Sequence, residues 1–158
     1  MKKYTQKKIK LIKPNKKGEF MKINSRDEAI GLFLNNAGLY ENCDFSNLDL
    51  SYIDNDIFDE NEIYIVDDGE TISEWTNVHI SLTKTHFVNC NFRNTNLSGI
   101  EPYKSYFTNC DFRGALIIEN SYFTYVTFKN CDFRGAVLTG AYLTNTIYDP
   151  KVSGFIIN

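Results

Sequence analysis

Four cysteines, two histidines and twenty carboxylates are the side chains of this 158-residue chain that could ligate a metal, attack an electrophile or move a proton. Cys90, Cys110 and Cys131 follow one another at steps of twenty and twenty-one residues, and Cys43 precedes them by forty-seven. Zinc sites take their thiolates in close CxxC pairs, so this spacing does not describe one. His79 and His86 have no Ser or Cys nucleophile spaced to use them as a base, and no glycine loop leads into a helix to cradle phosphate. Asp54, Asp56 and Asp59 invite comparison with a calcium loop, but Phe58 stands where a ligand should be and the sharp-turn glycine is missing. The prediction is no catalytic group, no metal and no cofactor. Three arginines remain, Arg93, Arg113 and Arg134, recurring in step with the cysteines. Stacked guanidinium groups can grip phosphates or a carboxylate-rich partner. Asn91, Asp111 and Asp132 lie two residues before them, however, and a neutralised, solvated strip of small energetic value is the simpler expectation.

A repeat must position these residues. Cys90-Asn91-Phe92-Arg93-Asn94 returns as Cys110-Asp111-Phe112-Arg113-Gly114 and as Cys131-Asp132-Phe133-Arg134-Gly135, with Cys43-Asp44-Phe45-Ser46-Asn47 as an earlier relative. Between these phrases runs a period of five. Leu82, Phe87, Phe92, Leu97, Pro102, Phe107, Phe112 and Ile117 are its large apolar centres. After one extra residue near Asn120 come Phe123, Phe128, Phe133, Leu138, Leu143 and Tyr148. Residues two apart in extended backbone share a side, so each pentad points one large and one small residue inward before a short polar corner. A coil that turns every five residues and closes after four sides accounts for both five and twenty. Coils stacked about 4.8 Å apart would bring the cysteine Cα atoms within disulfide range. A reducing compartment disfavours that bond, and inward thiols pack well as small apolar groups. The expectation is a reduced column of Cys90, Cys110 and Cys131 on the face where Phe92, Phe112 and Phe133 stack in register.

The pattern resembles the pentapeptide-repeat family, whose motif is a small residue, Asp or Asn, Leu or Phe, and two variable polar residues. Cys110-Asp111-Phe112-Arg113-Gly114, Cys131-Asp132-Phe133-Arg134-Gly135 and Thr95-Asn96-Leu97-Ser98-Gly99 match it best, and the resemblance covers about residues 38–150. It implies an all-β fold, a right-handed quadrilateral β-helix of about five coils. Tyr148-Asp149-Pro150 followed by Phe155 resembles a C-terminal ending common in such proteins. Some members are similar to duplex DNA in shape and charge, bind type II topoisomerases, and protect them from quinolones or inhibit them. Those binders are usually longer and dimeric through the C-terminal end, and Ile147, Tyr148, Phe155, Ile156 and Ile157 could form such an apolar end here or merely cap the last rung.

Residues 1–37 have a different texture. Nine Lys stand against one acid, Glu19, in residues 1–24. Ile9, Leu11 and Phe20 around Pro14-Asn15-Lys16-Lys17-Gly18 predict a lysine-rich hairpin. Ser25-Arg26-Asp27-Glu28 is a capping box with Ser25 as N-cap. A helix from about Arg26 to Asn35 should bury Ile30, Phe33 and Leu34 and cover the open first coil. The body is acidic: residues 25–158 hold 19 acids against 8 bases, and between Glu41 and Glu74 there are twelve acids and no Lys or Arg. The pentads falter over 54–78, where Ile63–Val66, Asp67-Asp68-Gly69-Glu70 and Thr71–Trp75 predict an inserted acidic hairpin. Residues 151–158 read as a tail. No run of about eighteen apolar residues is long enough to span a bilayer, lysines interrupt any signal-peptide core, and a cytoplasmic location is expected.

The functional expectation is a non-enzymatic protein-interaction or scaffold module with an unidentified protein partner. Asp67, Asp68, Glu70, Trp75, Arg93, Arg113 and Arg134 are its candidate contacts, and neither nucleic acid nor membrane is expected to bind directly. The alternative is a DNA-mimicking binder of a type II topoisomerase. Five coils would give a rod roughly 24 Å long, but the acids cluster in the first third while the later coils carry arginine.

Overall fold

A computed structural model of the chain describes residues 5–54, 62–67, 72–75, 80–118 and 120–148. Its regularity begins in the backbone. Lys84, Asn89, Asn94, Gly99, Lys104, Asn109 and Gly114 all have φ between 54° and 77°. After one extra residue the series resumes at Asn120, Tyr125, Asn130, Gly135, Gly140 and Asn145. Every fifth residue is thus left-handed, a conformation that costs most L-residues about 1–2 kcal/mol and Asn or Gly less. These residues are the corners. Where an Asp or Asn stands three residues earlier it prepares the corner: its Oδ1 accepts from the backbone N–H two residues on, at 2.9–3.1 Å for Asp44, Asn91, Asp111 and Asp132. Asp49 and Asn96 do the same toward Ser51 and Ser98.

Between corners the chain is extended, and successive turns pair in parallel. On the first face, strands β3 (Leu39–Glu41), β7 (His86–Val88), β8 (Tyr106–Thr108), β9 (Thr127–Lys129) and β10 (Ile147–Tyr148) form one five-stranded ladder. Its register runs Leu39, His86, Tyr106, Thr127, Ile147. The second face aligns Asp44, Asn91, Asp111 and Asp132, the third Asp49, Asn96, Leu116 and Val137, and the fourth Tyr122 with Tyr142. Four faces per turn of twenty or twenty-one residues make a parallel β-helix with its core on the axis. Phe45, Phe92, Phe112 and Phe133 stack with centroids 4.7–5.1 Å apart. A parallel stack of Tyr40, Phe87, Phe107 and Phe128 meets it edge to face. The expected Phe92, Phe112 and Phe133 register is what the structure has.

The interval from Leu39 to His86 is long because β5 (Glu62–Asp67) and β6 (Ile72–Trp75) leave the coil as an antiparallel pair, as the sequence predicts. The lysine-rich N-terminal hairpin does not form. Strand β1 (Thr5–Lys10) pairs in parallel with β5 over six residues, and β2 (Met21–Lys22) pairs in parallel with β4 (Cys43–Asp44). A two-stranded hairpin buries little. Separate placement buries Ile9 and Ile23 completely and sets Lys8 against Asp67 and Lys22 against Asp44.

Helix α1 (Arg26–Phe33) begins as its sequence requires. Ser25 Oγ accepts from Glu28 N at 3.1 Å, and Glu28 Oε2 accepts from Asn24 N at 2.8 Å, one residue before the usual capping-box donor. The helix stops two residues short of Asn35, because Asn35 and Asn36 donate to Leu32 and Phe33 carbonyls in a tightened last turn. Ala29, Ile30, Leu32, Phe33 and Leu34 are buried, and the Phe33 ring stacks on Phe45. Nearby donors meet the outward carbonyls of the first coil. Met21 and Ile23 amides bond Asn42 and Asp44, the Asn15 amide bonds Glu41, and Arg26 bonds Asp49 and Ser51.

Candidate functional site

The described interior is filled by the protein's own side chains. Cys43, Cys90, Cys110 and Cys131 are free and buried. Each later thiol donates to a carbonyl one turn back: Cys90 to Tyr40 at 3.4 Å, Cys110 to Phe87 at 3.4 Å and Cys131 to Phe107 at 3.2 Å. Thr95, Ser105 and Thr146 use their hydroxyls in the same way toward Phe45, Leu82 and Phe123. At these six residues the small inward position is therefore a donor position, a role that small size alone did not disclose. Burial pushes the Cys110 thiol well up, which suits a donor and not a nucleophile. Among the described residues no group of three or more His, Cys, Asp or Glu side chains is placed to hold a metal ion. His86 shares a 2.9 Å hydrogen bond with Thr108 Oγ1, and His79 lies outside the described residues.

The outward arginines are paired on their own strip. Arg113 grips Asp111 through Nε at 2.9 Å and Nη2 at 2.6 Å, and Arg134 grips Asp132 at 3.0 and 2.6 Å. Arg113 Nε also stands 3.7 Å from Asp132. Partial burial works to raise the Asp111 carboxyl, but the Arg113 hydrogen bonds outweigh it and hold it below its ordinary value. Arg93 faces Asn91 and has no ion pair among the described residues. Of the acidic candidates, Asp67 lies 3.4 Å from Lys8 Nζ. Trp75 pairs through its backbone with Tyr64, while Asp68, Glu70, Phe155, Ile156 and Ile157 lie outside the described residues. Among the described residues the structure thus holds Asp67, Arg113 and Arg134 in separate local ion pairs.

It gathers tyrosines instead. Tyr103, Tyr122, Tyr125 and Tyr142 lie on or beside the fourth face, 38–53% exposed. Tyr122 and Tyr142 stack with centroids 4.7 Å apart, and Tyr103 meets Tyr125 edge to face at 5.8 Å. A groove of about 430 Å³ opens there, lined by Thr83, Glu101, Tyr103, Tyr122 and Thr124. Sequence reasoning passed over these rings because it counted aromatics as core. The available signal was phase: each of the four stands one before, one after or two after a pentad centre, never on it.

Comparison with known proteins agrees with this architecture. Pentapeptide repeats match in nine copies over residues 103–147 and in eight copies over 79–99 and 85–117. No curated protein matches the chain. Among solved structures, two trypsin-treated variant forms of QnrB1, described as a plasmid-mediated fluoroquinolone resistance protein, align at 23% and 24% identity with TM-scores of 0.41 and 0.33. Each alignment covers 80% of this chain, and 52% and 49% of the QnrB1 chains, so this chain spans about half their length. With tandem pentads matched over them on a four-faced parallel coil, residues 79–147 belong to the pentapeptide-repeat family, whose fold is a right-handed β-helix.

Proposed function

We propose that this chain is a non-enzymatic protein-interaction module, a rod of about five coils that offers its outer faces and acidic excursion to a protein partner. One observation carries the reading. Stacked Phe rings fill the axis from Phe45 to Phe133 at ring contact distance, so recognition falls to the outside. In this reading α1, β2 and Arg26 cap the first coil and residues 1–37 form the capping unit. Residues 38–150 are the coil with its excursion at 54–78, and 151–158 are a tail. Free, buried thiols suit the reducing cytoplasm in which we place it. Affinity capture from a bacterial lysate tests the proposal, with the intact chain beside one whose Asp67–Glu74 segment is a neutral linker. A saturable partner weakened by the replacement supports the reading with the excursion as a contact. No saturable partner for the intact chain would sink it.

A narrower reading makes that partner a type II topoisomerase, engaged by mimicry of duplex DNA. The twelve acids between Glu41 and Glu74, with no Lys or Arg among them, favour it. The Arg113 and Arg134 pairs lower the negative field on the later coils, and the Lys8 contact with Asp67 lowers it on the acidic tract itself. Purified gyrase assayed for supercoiling, with and without a fluoroquinolone, decides: altered activity or drug protection supports the reading, and no change at large molar excess removes it.

A further inference from the structure

The groove on the fourth face has a chemistry of its own. Its walls are Tyr103 and Tyr122, each 38% exposed. Its rim carries Glu101, exposed and without an ion pair among the described residues. Asp54 adds a second carboxylate nearby, with its Oδ2 accepting from Glu101 N at 2.9 Å. One wall already takes a cation: the Lys104 ammonium stands 5.2 Å from the Tyr103 ring centre, inside the range of a cation–π contact. Thr83 and Thr124 supply hydroxyls at the sides.

Aromatic faces beside carboxylates select a flat cation. A guanidinium can stack on a tyrosine face while its edge donates to a carboxylate, and an ammonium cannot do both as well. We propose that this groove is a binding site for an arginine side chain of a basic partner segment. The proposal rests on the protein-interaction reading for the nature of the partner, while the preference for guanidinium follows from the groove. The Tyr122 and Tyr142 stack continues the aromatic surface beyond it, so a segment with further apolar residues would run along the face. Lys84 and Lys104 at the adjoining corners disfavour a densely basic segment and favour an isolated arginine.

The test uses the full chain and a short peptide, blocked at both ends, that carries one arginine among neutral residues. Ring and amide NMR signals are followed during titration, beside a citrulline peptide of the same shape without the charge. The expected result is saturable shifts concentrated at Tyr103, Tyr122 and Thr124, with weaker binding of the citrulline peptide. Affinity should fall about two- to fivefold in Glu101→Gln and in Tyr122→Leu and stay unchanged in Glu19→Gln, an exposed carboxylate outside the groove and the excursion. Glu101→Gln should keep the melting temperature of the parent and Tyr122→Leu should lose only what its stack on Tyr142 supplies, which a thermal scan checks. Shifts confined to the acidic excursion, or equal binding by Glu101→Gln, would overturn the proposal. Peptide binding is read without any cellular partner. A failure here therefore overturns the groove and leaves the module reading standing, whereas a failed capture leaves the groove untouched.

Discussion

Each pentad position has a separate physical task. The large residue fills the axis, the small one donates inward where it is Cys, Ser or Thr with a carbonyl one turn back, an Asp or Asn where present closes a turn, and the corner residue takes positive φ. Phe112 stands between Phe92 and Phe133 at 5.0 and 4.7 Å, in a stack whose neighbours are fixed by backbone pairing. Phe112→Ala should therefore cost about 3–5 kcal/mol, since the turns above and below cannot collapse into the space. Urea unfolding measures it, and a loss under about 1 kcal/mol would contradict the packing. Lys84 sits at φ 55° on an exposed corner. Lys84→Asn should stabilise by a few tenths to about 1 kcal/mol by easing that conformation. The aligned Asp111 separates two contributions that overlap in the native side chain. Asp111→Asn keeps an acceptor for Arg113 N and loses the ion pair, and should cost under about 1 kcal/mol. Asp111→Ala loses both and should cost more.

At the scale of elements, the coil was the most legible part of the sequence and the N-terminal strands the least. The five-residue period is local and repeated, so each pentad corroborates the next. Ser25 and Glu28 likewise announced α1 through contacts four residues apart or fewer. Ser25→Ala should cost about 1 kcal/mol of stability. Strand β1 carries no comparable signal: its partner β5 begins more than fifty residues away, and a turn motif at Pro14–Gly18 pointed to the wrong neighbour. Long-range edge pairing wins there because an acidic hairpin offers β1 both hydrogen bonds and countercharge. Asp49 shows the same electrostatics acting on stability. Ser51 hydrogen bonds chiefly, then Arg26, depress its carboxyl. A depressed carboxyl contributes stability that is complete above the unfolded value of about 3.9 and is lost as pH falls through the folded one. Acid unfolding should therefore shift to higher pH in Ser51→Ala, where the largest depressing contact is gone.

Charge is unevenly distributed along the chain, with nine lysines in residues 1–24 and twelve acids between Glu41 and Glu74. Lys10, Lys13, Lys16 and Lys17 have no ion pair among the described residues, whereas Lys7, Lys8 and Lys22 do. Deleting residues 1–37 should cause aggregation, because the carbonyls of Glu41, Asp44, Asp49 and Ser51 would lose their partners at a bare sheet edge. Light scattering reads the outcome, and a soluble monomeric truncation would show that another segment covers that end. The candidate site was barely legible at this scale. Charge pointed to arginines and acids, yet local pairing neutralises much of both, and the tyrosines become a surface only when four faces are wound in register.

The fourth face interrupts its own continuity without disturbing its neighbours. The chain departs after Asp54 and is back by Ile80, yet Leu39 still meets His86 and Asp44 still meets Asn91 as though nothing intervened. Loop-closure cost grows only with the logarithm of length, about 0.6 kcal/mol per doubling. The connection between β5 and β6 is accordingly a grafting point, where a foreign peptide or small domain could be inserted and carried on the rod while the pairing of β1 with β5 is kept.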